Sequence, residues 1–307
     1  MRYHYRMGTQ EALQQLARDA QYDLSCACGT SSHDDHRKRG KDGTWMYPVT
    51  VPSGGTGIML KTLMTNACSQ DCRYCPLRND QDYRRTALQP DKLARFFMDY
   101  KDRHNLFGLF LSSGVPENAD RTMQRLIDTA VILRKRYQFR GYIHLKIIPG
   151  ASDEAIRDAV SLASAVSLNI ETPGETHYRK LSSRKNYLSD IITPLKTISS
   201  LTGKGSEYAK VSKTTQFIVG ASDETDREIL SYMKGLYQRL GINRVYFSSY
   251  QKGLGDPSIP GEQYRPVDPH ELFTREHRLY QADFLVRKYG FAFDEFIFTD
   301  GSLPLDK

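Results

Sequence analysis

The sequence predicts an α/β fold, a parallel sheet covered by helices, and three observations carry that prediction. Between residues 56 and 250, short β-branched or apolar runs alternate six times with longer helical patterns. The six runs are near-continuously apolar, as strands buried on both faces are. The length, 307 residues, suits one α/β barrel with extensions.

Residues 1–55 form an N-terminal extension. A short helix at 10–20 is marked by Leu13, Leu16 and Ala17, and the rest is loop-rich, ending in V-P-S-G-G-T-G. The first barrel strand is T-G-I-M-L-K-T-L-M-T at 56–65, running into a cysteine loop. Pro90 and Asp91 open a helix at 91–104, ahead of Leu93, Phe96 and Phe97. L-F-G-L-F-L-S-S at 106–113 is the second strand, followed by a helix near 118–138. Y-I-H-L-K-I-I at 142–148 is the third, and Ser152, Asp153 and Glu154 suit the N-terminus of the helix over 153–163. A-V-S-L-N-I-E at 165–171 is the fourth. A helical region then reaches about residue 200, broken by the polar S-S-R-K-N at 182–186. T-T-Q-F-I-V-G at 214–220 and N-R-V-Y-F-S-S-Y at 243–250 complete the set, with a helix opening at Ser222-Asp223-Glu224 between them. Residues 251–307 form a C-terminal extension: a Pro- and Gly-rich loop or lid at 251–270, a helix at 275–289, and F-A-F-D-E-F-I-F.

Hydrophobic residues make up 39% of the chain and charged residues 26%, an ordinary globular composition that supplies a core. No apolar run approaches the roughly 20 residues needed to cross a bilayer. The polar N-terminus with Glu11 and Asp19 is unlike a signal peptide, so a cytoplasmic protein is expected. Five cysteines, three of them clustered, make no disulfide framework. Cys26 and Cys28 read as free thiols, or as ligands with His33 or His36. The net charge of +7 is compatible with a polyanionic partner, and basic residues gather at 36–41, 78–85 and 134–140. Each run equally suits a solvated face.

The chemistry concentrates in C-S-Q-D-C-R-Y-C, where Cys68, Cys72 and Cys75 have C-x3-C-x2-C spacing and Tyr74 precedes the last cysteine. Three thiolates on one loop can ligate three irons of a cubane cluster and leave the fourth iron open for a substrate or cofactor. The alternative is a zinc loop. Structural zinc takes four closed ligands, yet no second knuckle follows here, and His104, the nearest downstream histidine, falls in a helical pattern.

This spacing with its aromatic resembles the signature of the radical S-adenosylmethionine (radical SAM) superfamily. The resemblance implies an α/β, partial (β/α)6 TIM-like barrel, a [4Fe-4S] cluster on Cys68, Cys72 and Cys75, and S-adenosylmethionine chelated at the open iron. It implies reductive cleavage to a 5′-deoxyadenosyl radical, with electrons from a flavodoxin- or ferredoxin-type donor. Strand ends then supply the cofactor's partners. Ser112, Ser113 and Gly114, with Glu117 close behind, stand where the superfamily has a Gly-Gly-Glu-like turn whose carbonyls meet the methionyl ammonium. Lys146 suits the methionyl carboxylate, and Asn169 with Glu171 the ribose hydroxyls. Val219-Gly220, Ser248 to Tyr250, and Tyr74 suit the adenine. For Glu171 the plain alternative is a structural ion pair, and for Tyr74 core packing.

Several stretches together resemble one family more closely, the DNA modification/repair radical SAM proteins linked to uracil-DNA glycosylase. They are Y-D-L-S-C at 22–26, L-F-L-S-S-G-V at 109–115, G-Y-I-H-L-K-I-I-P-G-A-S at 141–152, S-L-N-I-E at 167–171, Q-F-I-V-G-A at 216–221 and R-E-H-R-L-Y-Q-A-D at 275–283. That resemblance implies a nucleic-acid substrate, a functional link to the glycosylase, and a helix-hairpin-helix tail before which this sequence ends. Arg78, Arg84 and Arg85 would hold phosphates. Arg275, His277, Arg278 and Gln281 would close over substrate or bind phosphate, or form a solvated helix face. A small-molecule or peptide substrate is the rival reading, and a non-catalytic iron–sulfur sensor in a repair complex is another. A polymer calls for an open basic mouth; a small molecule calls for a site enclosed by the 251–270 loop.

Overall fold

Helix α1 (Thr9–Asp19) buries Ala12, Leu13, Leu16 and Ala17 along one stripe, as its apolar spacing predicts. The computed structural model describes residues 8–23, 38–39, 45–50, 55–265 and 270–306, so Cys26, Cys28, His33 and His36 lie outside the described residues. The loop-rich extension also holds two short strands. Strands β1 (Lys38–Arg39) and β2 (Trp45–Thr50) pair antiparallel with each other, and β2 pairs antiparallel with β3 (Thr56–Leu63).

All six predicted barrel strands form. After β3 and α2 (Pro90–His104) come β4 (Leu106–Ser112), α3 (Ala119–Val131), β5 (Tyr142–Lys146), α4 (Asp153–Leu162) and β6 (Ala165–Ser167). Then α5 (Glu175–Leu181), α6 (Thr193–Leu201), β7 (Ser212–Val219), α7 (Asp226–Leu240), β8 (Arg244–Ser249), α8 (Pro260–Gln263) and α9 (Glu271–Tyr289) follow. The sheet runs in sequence order, and β3 to β8 are parallel, giving the half-barrel of six parallel strands. Alternation sorts the side chains. Leu109, Leu111, Ile143, Leu145, Val166 and Phe217 pack into the core beneath the helices. The other parity lines the concave face, where Lys61, Phe110 and His144 fall in one register row.

Several boundaries differ from those expected, one of them because of a cap. Thr225 caps α7 in a reciprocal box with Glu228, so the helix expected at Ser222 begins at Asp226. The helix after β4 stops at Val131, and a π-helical turn at Ile132–Arg136 carries the rest. α9 starts four residues earlier than the expected 275, at Glu271. β6 stops at Ser167, four residues short of the expected end. Beyond it the chain bonds β7 irregularly, with Ile170 N donating to Thr215 Oγ1 (3.0 Å) and Glu171 N to Gln216 O (3.0 Å). Glu171 sits at φ +65°, a left-handed conformation costly for a residue with a Cβ. Among the described residues no helix is long and apolar enough to cross a membrane.

Candidate active site

The loop after β3 is tied to the loop after β4. Met64 N donates to Ser112 O (2.8 Å), Gly114 N to Thr65 O (2.7 Å) and Ser69 N to Val115 O (2.7 Å). This brings Cys68, Cys72 and Cys75, all unbridged, with Ser112, Ser113 and Gly114 onto one cavity of about 200 Å³ at the C-terminal ends of the strands. Each sulfur faces a donor: Val115 N to Cys68 Sγ at 3.5 Å, Leu77 N to Cys75 Sγ at 3.4 Å, and Lys185 Nζ to Cys72 Sγ at 3.0 Å.

Lys185 arrives from the break between α5 and the next helical turn. Asp71 anchors that segment, accepting from Ser182 Oγ (2.6 Å), Ser183 N (2.9 Å), Ser183 Oγ (2.5 Å) and Arg184 N (3.4 Å). Arg73 N donates to Leu181 O (2.8 Å), and Arg184 to Ser69 O (2.6 Å). Burial opposes ionisation of Asp71, but the hydrogen bonds from Ser182 and Ser183 outweigh it and carry its pKa down to about 2. Burial raises the Cys72 thiol, which the Lys185 charge pulls back. Burial also raises Cys75, and the charges of Cys72 and Cys68 add to the rise. Burial would lower the Lys185 ammonium, yet the negative charge at Cys72 reverses this and holds it protonated. Three soft thiolates with N–H and ammonium donors at their sulfurs fit an iron–sulfur cluster.

Across the cavity a chain of side chains runs from Lys146 Nζ to Asn169 Oδ1 (2.7 Å), from Asn169 Nδ2 to Glu171 Oε2 (3.4 Å), and from Tyr74 Oη to Glu171 Oε1 (3.0 Å). Tyr74, Lys146, Asn169, Glu171, Ser248 and Tyr250 all line the cavity. Gly220 and Val219 lie behind it. Gly220 has φ +84°, its N–H donates to Glu224 Oε1 (2.6 Å), and Tyr250 N donates to Val219 O (2.8 Å). Glu117 is on the surface, paired with Arg121.

The five arginines expected at phosphates do not share a surface. Arg85 is buried and donates to the carbonyls of Asn66 (2.6 Å), Leu77 (2.8 Å), Arg78 (2.8 Å) and Gln81 (3.1 Å). Arg78 is buried on Cys75 O (3.2 Å) and Leu254 O (3.2 Å), with Asp80 at 2.8 Å. Arg275 is clamped by Asp226 (2.5 Å) and Glu224 O (2.6 Å), and Arg278 bonds Gln281 (2.8 Å) and Leu305 O (2.9 Å). Arg84 is exposed and pairs with Glu11 of α1 at 3.0 Å. His277 packs at a tilt against Phe273.

Three participants escaped the sequence reading. Lys185 sat inside a stretch read only as a helix break. Asp71 sat unremarked between two cysteines. Gln216 shares a cavity-facing parity with Ile218, and that period-2 spacing was the available signal.

The chain resembles solved structures that share the half-barrel. It superposes on HydG, a maturase of the [FeFe]-hydrogenase, with a TM-score of 0.57 and 13% identity, over 73% of this chain and 49% of that one. It superposes on the methylornithine synthase PylB with a TM-score of 0.56 and 13% identity (72% and 61%), and on SuiB of Streptococcus suis with 0.53 and 12% (74% and 45%). The chain thus spans about half the length of HydG and SuiB and about three fifths of PylB. No curated protein matches it in sequence. The radical SAM superfamily model matches residues 62–236, from the end of β3 through most of α7, with the three cysteines inside the match. The chain therefore belongs to the radical SAM superfamily of enzymes, and with that membership come a [4Fe-4S] cluster, S-adenosylmethionine and the need for an electron donor.

Proposed function

We propose that Cys68, Cys72 and Cys75 hold the cluster and that the substrate is a small molecule or short peptide enclosed beside it. The observation that carries this reading is the seam between the 251–265 loop and the cysteine loop. Gln251 and Leu254 line the cavity, Asp256 N donates to Arg73 O (2.7 Å), and Arg78 donates to Leu254 O (3.2 Å). Glu262 holds the loop's shape, accepting from Gly253 N (2.8 Å) and Gly255 N (3.0 Å). A loop tied in this way to the cofactor loop walls one side of the cavity, and shielding a reactive site from water favours a small, enclosed substrate.

The bound group supplies a 5′-deoxyadenosyl radical, and the chain's own residues bind and orient. Ser113 and Gly114 offer carbonyls to the methionyl ammonium. Lys185, the ammonium at the sulfurs, meets the methionyl carboxylate in place of Lys146, which is drawn to Asn169. Glu171 and Asn169 face the ribose hydroxyls, with Glu171 aimed by Tyr74. Tyr250 borders adenine, and Gly220 shapes the wall behind. The donor is a flavodoxin- or ferredoxin-type protein.

Kinship with the uracil-DNA-glycosylase-linked proteins rests on the sequence stretches alone, and no arginine geometry favours a nucleic-acid substrate. The test is anaerobic reconstitution, dithionite reduction and chromatography of 5′-deoxyadenosine, comparing a low-mass metabolite fraction with DNA and RNA. Acceleration by the low-mass fraction alone is expected. Acceleration by a polynucleotide would overturn the small-substrate reading and leave the enzyme standing.

A further inference from the structure

The cysteine loop faces the cavity on one side and meets residues 179–188 on another. Ser183 Oγ donates to Asp71, beside Cys72 (2.5 Å), and Arg184 donates to Ser69 O, beside Cys68 (2.6 Å). Ser183 and Arg184 are both exposed. A single hydrogen bond thus links an exposed residue to the neighbour of each of two cysteines. Electron transfer weakens steeply with the thickness of protein crossed, so an electron donor has to dock where this cover is thin.

The surface of that cover is basic around an apolar centre. Residues 179–188 read R-K-L-S-S-R-K-N-Y-L, with four cations and no carboxylate. Arg179 is exposed and pairs with Glu175, and Lys180 pairs with Asp223. The Arg184 guanidinium bonds only the Ser69 carbonyl and forms no ion pair among the described residues. Asp190, the next carboxylate along the chain, is turned back onto Asn186 N (2.8 Å) and Ser189 Oγ (2.8 Å). Tyr187 points inward, with its Oη on Thr172 O (3.2 Å), while Leu188 beside it is 57% exposed. An apolar centre in a polar rim is the anatomy of an interface, and electron-transfer encounters are among the smallest interfaces. Cations in the rim steer an acidic partner to it.

We propose that residues 179–188 form the docking surface for the electron donor, a small acidic redox protein, with Leu188 at its centre and Arg179 and Arg184 in its rim. This rests on the reading that Cys68, Cys72 and Cys75 hold the cluster. In each encounter the donor loses one electron and the cluster gains it, and no atom is transferred. Arg73 divides this surface from the 251–265 loop. Its N–H donates to Leu181 O (2.8 Å) and its carbonyl accepts from Asp256 N (2.7 Å), so the donor docks without displacing that loop.

The test reads binding before turnover, on the reconstituted protein. An oxidised flavodoxin and a plant-type ferredoxin, both acidic, and the basic cytochrome c are titrated by calorimetry into the wild type. The same titrations are run on Arg179→Glu, Arg184→Gln, Leu188→Asp and Lys135→Glu. Lys135 is exposed at the opposite end of the barrel, ahead of β5, and controls for net charge. At low salt an acidic donor is expected to bind and cytochrome c is not. Each of the three patch variants should weaken donor binding roughly three- to tenfold, and added salt should shrink the effect of the two arginines. Lys135→Glu should match the wild type. The ratio of donor-driven to dithionite-driven 5′-deoxyadenosine formation should fall in parallel, since the small reductant needs no docking surface. Three results overturn the inference: neither acidic donor binds, the patch variants bind as the wild type does, or Lys135→Glu is weakened as much as they are. Patch variants that lose salt-dependent binding of DNA and keep that of the donor would assign the surface to a polynucleotide instead. A dithionite-reduced protein that makes no 5′-deoxyadenosine, with donor binding intact, is a separate failure, of the cluster assignment alone.

Discussion

The ammonium of Lys185 donates to the sulfur of Cys72 across 3.0 Å, joining two residues 113 positions apart in the chain. The contact exists because Asp71, next to Cys72, collects four hydrogen bonds from residues 182–184 and fixes the segment that presents Lys185. A cation at this distance stabilises negative charge on the sulfurs, and therefore the reduced state of a cluster held there.

Lys185→Met should lower the cluster's reduction potential and weaken S-adenosylmethionine binding roughly 10- to 100-fold, the usual cost of losing a partner just outside a metal's ligands. Asp71→Ala should produce the same shift indirectly, with a loss of about 2 kcal/mol of stability from the abandoned hydrogen bonds. A redox titration followed by electron paramagnetic resonance reads both. A Lys185→Met potential equal to the wild type's would remove the lysine from the cluster's surroundings.

Gly114 packs against the cysteine loop so closely that a Cβ would stand 2.4 Å from Ala67 O, a backbone atom with no rotamer to yield. Gly114→Ala should force the strand-end loops apart, cost about 1–3 kcal/mol as overpacking does, and reduce iron loading. Iron and sulfide analysis after reconstitution, beside a melting curve, tests this. Full iron content at an unchanged Tm would show that the loops can part without harm.

Arg85 is an internal staple for the loop carrying the cysteines, with four carbonyls on one guanidinium. Arg85→Ala should destabilise the protein by roughly 3 kcal/mol, and Arg85→Lys should rescue little, because an ammonium cannot reproduce the planar fork. Denaturant midpoints measure the loss. If Arg85→Ala kept its stability and instead weakened a salt-dependent affinity for polynucleotide, the staple would be the wrong description.

The cysteine spacing marked the candidate ligands because all three lie on one short loop, where local sequence dictates proximity. The six strands were legible for a similar reason, since burial on both faces leaves an apolar run. Strand β2 was hidden by Pro48, which argues against a strand interior. Among the described residues β2 pairs with β1 at Trp45 and Met46, and Pro48 stands opposite Ile58 of β3. The arginine runs left each side chain's role open because composition does not say which way a guanidinium points. Arg84 reaches outward to Glu11, while Arg85 beside it is buried. Lys185 could not be read at all, because only the closed fold brings it to Cys72.

Glu276 of α9 gives a prediction that depends on pH. Its side chain is fully buried, Oε2 accepts from Ser249 N at 2.6 Å, and Oε1 has no partner among the described residues. Burial raises its pKa from 4.5 to about 7, against the Ser249 hydrogen bond, and Tyr280 is the titratable neighbour that feels its charge. Below pH 4.5 the carboxyl is protonated in both the folded and unfolded states and costs nothing. Between pH 4.5 and about 7 the folded state holds a proton that the unfolded state has released, so stability falls as pH rises, and above that range the penalty is constant. Glu276→Gln should flatten this slope and leave the variant more stable than the wild type by about 3 kcal/mol at pH 8. Urea midpoints at intervals from pH 4 to pH 8 measure the difference. Parallel wild-type and variant curves would mean that Glu276 ionises normally and that its burial is compensated by a water or by a movement of α9.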